Sequence, residues 1–246
     1  MRLFGLIGYP LTHSFSQQYF MQKFEREHID CCSYINLPLS TIEKFTIIQQ
    51  QYPNLVGCNV TIPYKQSILP YVDEQLSIVQ QIGACNCIYF KNGKSIAYNT
   101  DIIGFKKSFI EKKETHHTKA LILGTGGASK AVQYVCHKLG VSYTFVSRYK
   151  KENTITYKDV TPSLLQDYTI IIQTTPLGTY PNIYNAPDIP YHALTSKHYC
   201  FDLVYNPSET LFLQKAKTQG AIVQNGYNML CIQAEESWEI WNKSLS

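Results

Sequence analysis

Hydrophobic positions in this chain come in short runs closed by glycine, proline or small polar residues, a pattern of strands and helices joined by turns. Residues 3–8, 33–37 and 55–61 are apolar or alternating and bounded by turn residues, which predicts strands. Between the first two, Phe20 and Phe24, with Met21 beside them, give an apolar helix face that ends near His28. Ser40 followed by Glu43 reads as a capping box that opens a helix to about Gln51. Pro63 suits the first position of a helix, which puts Lys65 in a first turn, where the helix dipole disfavours a cation. Residues 83–90 and 95–99 flank Asn92-Gly93, a strong hairpin signal. From Asn99-Thr100-Asp101 a helix is expected to run to about Lys113.

The second half alternates more regularly. Residues 120–123, 141–147, 169–173, 198–204 and 221–224 read as strands. Residues 129–139, 162–165 with Thr161 as cap, and 211–219 stopped by Gly220 read as helices. Strands alternating with helices predict a parallel sheet with helices on its faces. The polar stretch from Glu114 to Thr118, with His116-His117, reads as solvated linker where the chain crosses between domains; residues 174–196 form a long, proline-punctuated connection. A last helix, 227–243, carries Met229, Leu230, Ile232, Trp238 and Trp241 and is too apolar for a free tail, so it should pack across an interdomain cleft or onto the first domain. The expected fold class is α/β in two domains: residues 1–103, completed by the terminal helix 228–246, and residues 104–227.

Composition narrows the partners. With 246 residues, 44% hydrophobic and 16% charged, the chain is an ordinary globular one with a sizeable core. A net charge of +4, spread along the chain, does not point to nucleic acid. There is no stretch of membrane-spanning length and the first residues pass straight into a strand without a signal peptide, so a cytoplasmic protein, monomer or homodimer, is expected. Cys31, Cys32, Cys58, Cys85, Cys87, Cys136, Cys200 and Cys231 include no Cys-x-x-Cys pair and lie mostly in apolar runs, which suits free thiols in a reducing compartment; no metal site is expected.

The candidate chemistry centres on residues 120–129, Ala-Leu-Ile-Leu-Gly-Thr-Gly-Gly-Ala-Ser. An apolar strand breaks into Gly124, Thr125, Gly126, Gly127 and Ala128 before a helix, the context of a dinucleotide loop. Gly124 allows a tight turn, Gly126 lets the backbone approach a pyrophosphate, and the N–H groups that open the helix would face the phosphates. Ser129 stands at the position of the fingerprint's third glycine. No acid follows the next strand; it runs instead into Ser147-Arg148-Tyr149-Lys150-Lys151. A guanidinium there can fork onto a ribose 2′-phosphate, which favours NADP over NAD; a solvated basic turn is the alternative.

Taken together, Gly8-Tyr9-Pro10-Leu11-Thr12-His13-Ser14-Phe15-Ser16, Asn59-Val60-Thr61-Ile62-Pro63-Tyr64-Lys65, Gly83-Ala84-Cys85-Asn86, Asn99-Thr100-Asp101, residues 124–129, Asp202-Leu203-Val204-Tyr205-Asn206-Pro207 and Gly226 through Gln233 resemble the shikimate dehydrogenase family over nearly the whole chain. The resemblance implies an NADP-dependent enzyme interconverting shikimate and 3-dehydroshikimate, with a substrate domain and a Rossmann domain either side of a cleft. It implies that Ser14 and Ser16 hold the substrate carboxylate, and that Asn59, Thr61, Asn86, Asp101, Tyr205 and Gln233 bind its hydroxyls or line its pocket. Lys65 and Asp101 would be the catalytic pair, and Thr174, Val204 and Gly226 would lie near the nicotinamide. Gln17, Cys87, Ser147 and Thr179 depart from the family's usual residues.

The residues themselves agree with such a substrate. A ring polyol with a carboxylate needs hydroxyl and amide partners, which Ser14, Ser16, Asn59, Thr61, Asn86 and Gln233 supply. Each also has a structural reading: the serines and Asp101 as helix caps, the asparagines as turn residues, Gln233 as an exposed helix position. Lys65 can take a proton from the reacting hydroxyl or stabilise the alkoxide as a cation, and the sequence leaves both open. A quinate/shikimate dehydrogenase of mixed specificity and a non-catalytic NADP-binding sensor are the competing functions.

Overall fold

A computed structural model describes residues 1–11 and 15–243. The chain forms two units: residues 1–101 with 231–246, and residues 102–230. In chain order the elements are β1 (Arg2–Gly8), α1 (Phe15–Arg26), β2 (Cys32–Pro38), α2 (Ile48–Gln51), β3 (Leu55–Val60), β4 (Glu74–Gln75), α3 (Ser77–Ile82), β5 (Cys87–Lys91), β6 (Lys94–Tyr98) and α4 (Asp101–Ile110). They continue as β7 (Lys119–Leu123), α5 (Gly127–Lys138), β8 (Ser142–Ser147), β9 (Thr154–Thr156), α6 (Pro162–Asp167), β10 (Ile170–Gln173), β11 (Tyr199–Asp202), α7 (Leu211–Thr218), β12 (Ile222–Gln224) and α8 (Tyr227–Asn242).

The first unit is a mixed sheet in the order β2-β1-β3-β5-β6-β4. β1 is parallel to β2 and β3, so each of these joins passes through a crossover, whereas β5 and β6 are an antiparallel hairpin. Its turn is Asn92-Gly93, both at positive φ (52° and 74°), as a tight hairpin turn of this hand requires. Leu3, Ile7 and Val60 turn to one apolar layer and Phe4, Leu6 and Tyr34 to another, the alternation of a sheet covered on both faces. The second layer holds the end of α8. Trp241 is fully buried, its ring centroid 4.9 Å from that of Phe4, and its Nε1 donates to the Ile88 carbonyl at 3.0 Å. Gly57 makes room for it: a Cβ there would fall 2.2 Å from the indole nitrogen. The terminal helix therefore returns to the first unit from Cys231 onward.

The second unit is a parallel sheet, β12-β11-β10-β7-β8-β9. Read from β7, strands are added outward to β9 on one side and to β12 on the other. That is the doubly wound order, with its reversal between β7 and β10, and ligands of such sheets bind beyond the strand ends at that reversal. Ile170 to Ile172, Leu121 to Leu123 and Tyr199 to Phe201 are all buried, as central parallel strands with helices on both faces demand.

Several local expectations are corrected. Residues 40–51 do not form one capped helix. Ile42–Ile47 is a 3₁₀ segment whose N-cap, Thr41, makes no side-chain cap bond, while the Ser40 hydroxyl accepts from Lys44 Nζ. Lys65 lies in turns rather than a first helical turn, the next helical residues being the 3₁₀ segment Leu69–Tyr71. Met21 is exposed; Lys23 takes the buried place on α1 between Phe20 and Phe24 because its ammonium reaches Glu235 at 2.7 Å. The stretch 114–118 lies within the second unit, and His117 is fully buried rather than solvated. Its Nδ1 accepts from the Glu114 amide at 2.9 Å and its Nε2 faces the Lys197 carbonyl at 3.0 Å, the pattern of a neutral ring, and burial lowers its pKa. Thr161 caps α6 as expected, accepting from the Leu164 amide.

Candidate functional site

In the first unit the polar candidates converge on a buried network. Lys65 is presented by a turn held at both ends: Tyr64 donates its hydroxyl to the Leu39 carbonyl, and the Lys65 carbonyl accepts from the Cys85 amide at 2.7 Å. Its Nζ donates to Asp101 Oδ2 at 2.6 Å, with 16% of the lysine side chain and 6% of the aspartate side chain exposed. The other carboxylate oxygen accepts from Asn86 Nδ2 at 3.0 Å. The same amide lies 2.9 Å from Thr100 Oγ1 and 3.2 Å from Gln233 Oε1, so its two hydrogens are shared among three acceptors. Asn86 Oδ1 in turn accepts from the Thr100 amide at 2.6 Å, which fixes the orientation of the carboxamide. Asp101 is the first residue of α4 and Asn86 immediately precedes β5, so a helix start and a strand end set the two in place.

Asn59, at the end of β3, extends the network. Its Nδ2 donates to Ser237 Oγ at 2.9 Å and its Oδ1 accepts from the Tyr34 hydroxyl at 2.9 Å. Ser16, in the first turn of α1, is hydrogen-bonded to the same hydroxyl. Burial pushes the Tyr34 hydroxyl well above its ordinary pKa, so it serves as a neutral donor and acceptor. Thr61 lies half-buried with its amide donating to the Ile7 carbonyl. Ser14 lies outside the described residues. Thr100, Ser237 and Tyr34 are members that sequence reasoning passed over. Thr100 adjoins Asp101 but was given no role of its own, whereas Ser237 could have been found as the residue one helical turn beyond Gln233 on the same face.

In the second unit Gly124, at φ +111°, ends β7, and a Cβ there would fall 2.8 Å from both Thr174 Oγ1 and Thr175 Cγ2. Gly126 is different: a Cβ on it would meet nothing within 4 Å. Packing within the chain does not demand glycine at Gly126, and the clear space beside its backbone fits the close approach of a pyrophosphate. α5 begins at Gly127, so the amides of Gly127 and Ala128 are first-turn donors at the positive end of a helix of 12 residues. Ser129, fully buried, donates its hydroxyl back to the Gly126 carbonyl at 2.7 Å, which fits a small residue at the third position of the fingerprint. Ser147 closes β8 and Arg148 follows it into solvent; Lys151 Nζ lies 3.5 Å from Thr125 Oγ1, near the glycine loop. This donor set of helix-start amides, a guanidinium and an ammonium fits a phosphorylated dinucleotide.

The remaining second-unit candidates stand just beyond the strand ends. Thr174 follows β10 and donates both its amide and its hydroxyl to the Leu123 carbonyl, at 2.9 and 2.7 Å. Val204 is buried and accepts at its carbonyl from the Gly226 amide at 3.1 Å. Gly226 is required by that approach, since a Cβ would fall 2.2 Å from the Leu203 carbonyl oxygen. Tyr205 is half-buried, and burial raises its hydroxyl pKa.

Known proteins are similar to this chain in sequence and fold. Residues 6–88 match the family model of the shikimate dehydrogenase substrate binding domain. A shikimate dehydrogenase (NADP(+)) of Methanococcus maripaludis is 37% identical over 98% of this chain and 91% of its own. That of Caldicellulosiruptor bescii is 35% identical over 98% of this chain and 89% of its own. A crystal structure of a shikimate dehydrogenase in complex with NADP+ superposes with a TM-score of 0.86 at 31% identity, covering 99% of this chain and 90% of that one.

Proposed function

The chain belongs to the shikimate dehydrogenase family, and on that premise we propose how its residues divide the work. It is an NADP-dependent oxidoreductase that interconverts 3-dehydroshikimate and shikimate, on the route to chorismate and the aromatic amino acids. The first unit carries the substrate residues apart from Tyr205, and the second carries the dinucleotide residues. Ser14 and Ser16 take the carboxylate; Asn59, Thr61, Asn86, Asp101, Tyr205 and Gln233 bind the hydroxyls or line the pocket. The glycine loop with Thr125, Gly127 and Ala128 takes the pyrophosphate, Ser147 and Arg148 the 2′-phosphate, and Thr174, Val204 and Gly226 the nicotinamide. The eight cysteines, all among the described residues, form no disulfide with one another, which suits a reducing cytoplasm.

The observation that carries the catalytic assignment is the Lys65–Asp101 pair inside the Asn86–Thr100–Gln233 network. The bound dinucleotide supplies or accepts the hydride. An ammonium at Lys65 has three protons, one of them engaged by Asp101 at 2.6 Å, leaving two for the substrate oxygen. In the reducing direction a proton passes from Nζ to the keto oxygen as negative charge develops there, and the amine left behind is reprotonated through its solvent-facing side. In the oxidising direction the neutral amine accepts the hydroxyl proton. Asp101 keeps Nζ directed, and Asn86 keeps Asp101 directed.

The nicotinamide absorbance, followed with shikimate or quinate and with NADP or NAD, tests this reading. Shikimate with NADP should be oxidised much more efficiently than any other combination; equal or reversed efficiency with quinate would mark a mixed-specificity enzyme, and binding without turnover a sensor. Arg148→Ala should weaken NADP binding by about 1.5–3 kcal/mol and leave NAD use unchanged. Equal loss of both cofactors would show that Arg148 serves the fold instead.

A further inference from the structure

Two costly side chains stand next to each other at the C-terminal edge of the second unit's sheet. Gln173 and Asp202 close β10 and β11 in register, and both are fully buried. The residues leading to them, Ile170, Ile171 and Ile172 on one strand and Tyr199, Cys200 and Phe201 on the other, are buried and mostly apolar, so an apolar side chain would continue either strand at lower cost. Gln173 Nε2 has no hydrogen-bond partner among the described residues, and burial pushes the Asp202 carboxyl up to about 7. Buried polar groups with such penalties call for an account of what their remaining bonds accomplish.

Those bonds go to amides and hydroxyls of the loops that follow the two strands. Gln173 Oε1 accepts from the Thr175 amide at 3.2 Å and from the Thr175 hydroxyl at 2.9 Å. Asp202 Oδ1 accepts from the Val204 amide at 2.9 Å, and Oδ2 accepts from the Thr210 hydroxyl at 2.6 Å. Thr210 is the N-cap of α7, so the carboxylate ties the loop after β11 to the start of a helix. The two loops are also joined to each other, because the Leu203 amide donates to the Gln173 carbonyl at 3.0 Å. Each side chain thus braces, from beneath, the loop that leaves its own strand.

We propose that Gln173 and Asp202 are positioning residues for the nicotinamide end of the dinucleotide, setting the backbone on which Thr174, Val204 and Gly226 are carried. This rests on the reading that those three residues seat the nicotinamide. Each acts through the loop it holds. Their effect belongs to hydride transfer rather than to capture of the adenosine half, which depends on the glycine loop and Arg148.

The test compares the whole protein with Gln173→Leu, which continues the apolar strand and removes the acceptor for Thr175. Binding of 2′,5′-ADP reports the adenosine half alone, turnover reports the reaction, and substrate deuterated at the carbon that yields hydride reports the transfer step. The expected result is unchanged 2′,5′-ADP affinity and shikimate KM, kcat lowered about tenfold or more, and a larger isotope effect, because a displaced ring makes hydride transfer slower. Thr175→Val, which removes one of the two bonds, should shift kcat and the isotope effect in the same direction but less, and it serves if Gln173→Leu does not fold. Wild-type kcat and isotope effect in both variants would overturn the proposal. So would loss of 2′,5′-ADP affinity in step with kcat, which would mark a general structural role. Failure of the wild-type protein to bind 2′,5′-ADP or to turn over shikimate would instead overturn the underlying functional reading.

Discussion

Lys65 and Asp101 hold each other in a setting where neither is easily replaced. The aspartate side chain is 6% exposed, so its charge is compensated by the Lys65 ammonium and by Asn86 rather than by water. Lys65→Met should lower kcat by about 100-fold or more while the shikimate KM changes far less. Asp101→Asn should also lower kcat, and the double variant should be little slower than Lys65→Met alone, since groups acting as a unit are not additive. Stability should follow another order. Lys65→Met strands a buried carboxylate, whereas adding Asp101→Asn removes that charge, so the double variant should melt above Lys65→Met in thermal scans. If Lys65→Met raised only KM, the lysine would be a binding residue and the proton assignment would fall. Asp202 makes a second prediction. Its folded pKa, about 7, stands above the ordinary carboxylate value of 3.8, so the unfolded chain releases this proton first as pH rises. Wild-type stability relative to Asp202→Asn should therefore decline between about pH 4 and 7 and then level off. A stability difference constant over that range would mean that Asp202 is ionised throughout.

Among the elements, those specified by their own residues were legible and those specified by distant contacts were not. Thr161 and Pro162 announce α6, Asn92-Gly93 announces the β5–β6 hairpin, and the glycine loop announces the β7–α5 turn, each through local stereochemistry. Residues 74–82 gave no such signal, yet β4 pairs with β6 and α3 ends at Gly83 in the left-handed conformation, because the partner strand and the packing of Val79 and Ile82 supply the order. The turn carrying Lys65 was misread for the same reason: Pro63 suggested a helix, while Tyr64 and the Lys65 carbonyl are anchored by Leu39 and Cys85, far away in sequence. Buried His117 looked like linker because its partners are backbone groups that no side-chain pattern reveals. For the network, Asn59 and Asn86 at strand ends were readable and Ser237 was within reach one helical turn beyond Gln233, but Thr100 became a member only through three-dimensional proximity. α8 carries a prediction of its own. Trp241 fills the space that Gly57 leaves, so Trp241→Ala should destabilise the protein by about 3–5 kcal/mol in denaturant titration. A loss under about 1 kcal/mol would mean that the helix end is not anchored by this residue.

At the scale of the whole molecule, the chain passes between its units twice, after Asp101 and after Leu230. Both passages adjoin proposed substrate residues: Asp101 is the last residue of the first segment, and Gln233 lies just inside the returning one. Substrate held by Asp101 and Gln233 would thus restrain the first unit at the two places where its chain enters and leaves. The dinucleotide candidates from Gly124 to Gly226 all belong to the uninterrupted second segment, so its ligand can be bound without ordering the first. A ligand stabilises what it binds by mass action, about 2.7 kcal/mol at a hundred times its dissociation constant, and amide exchange reads where that stabilisation lies. Shikimate alone should slow exchange at residues 86, 100–101 and 231–237 and leave residues 126–129 unaffected, whereas 2′,5′-ADP should do the reverse. Protection of residues 231–237 by 2′,5′-ADP, with residues 126–129 unchanged, would show the two half-sites to be assigned to the wrong units.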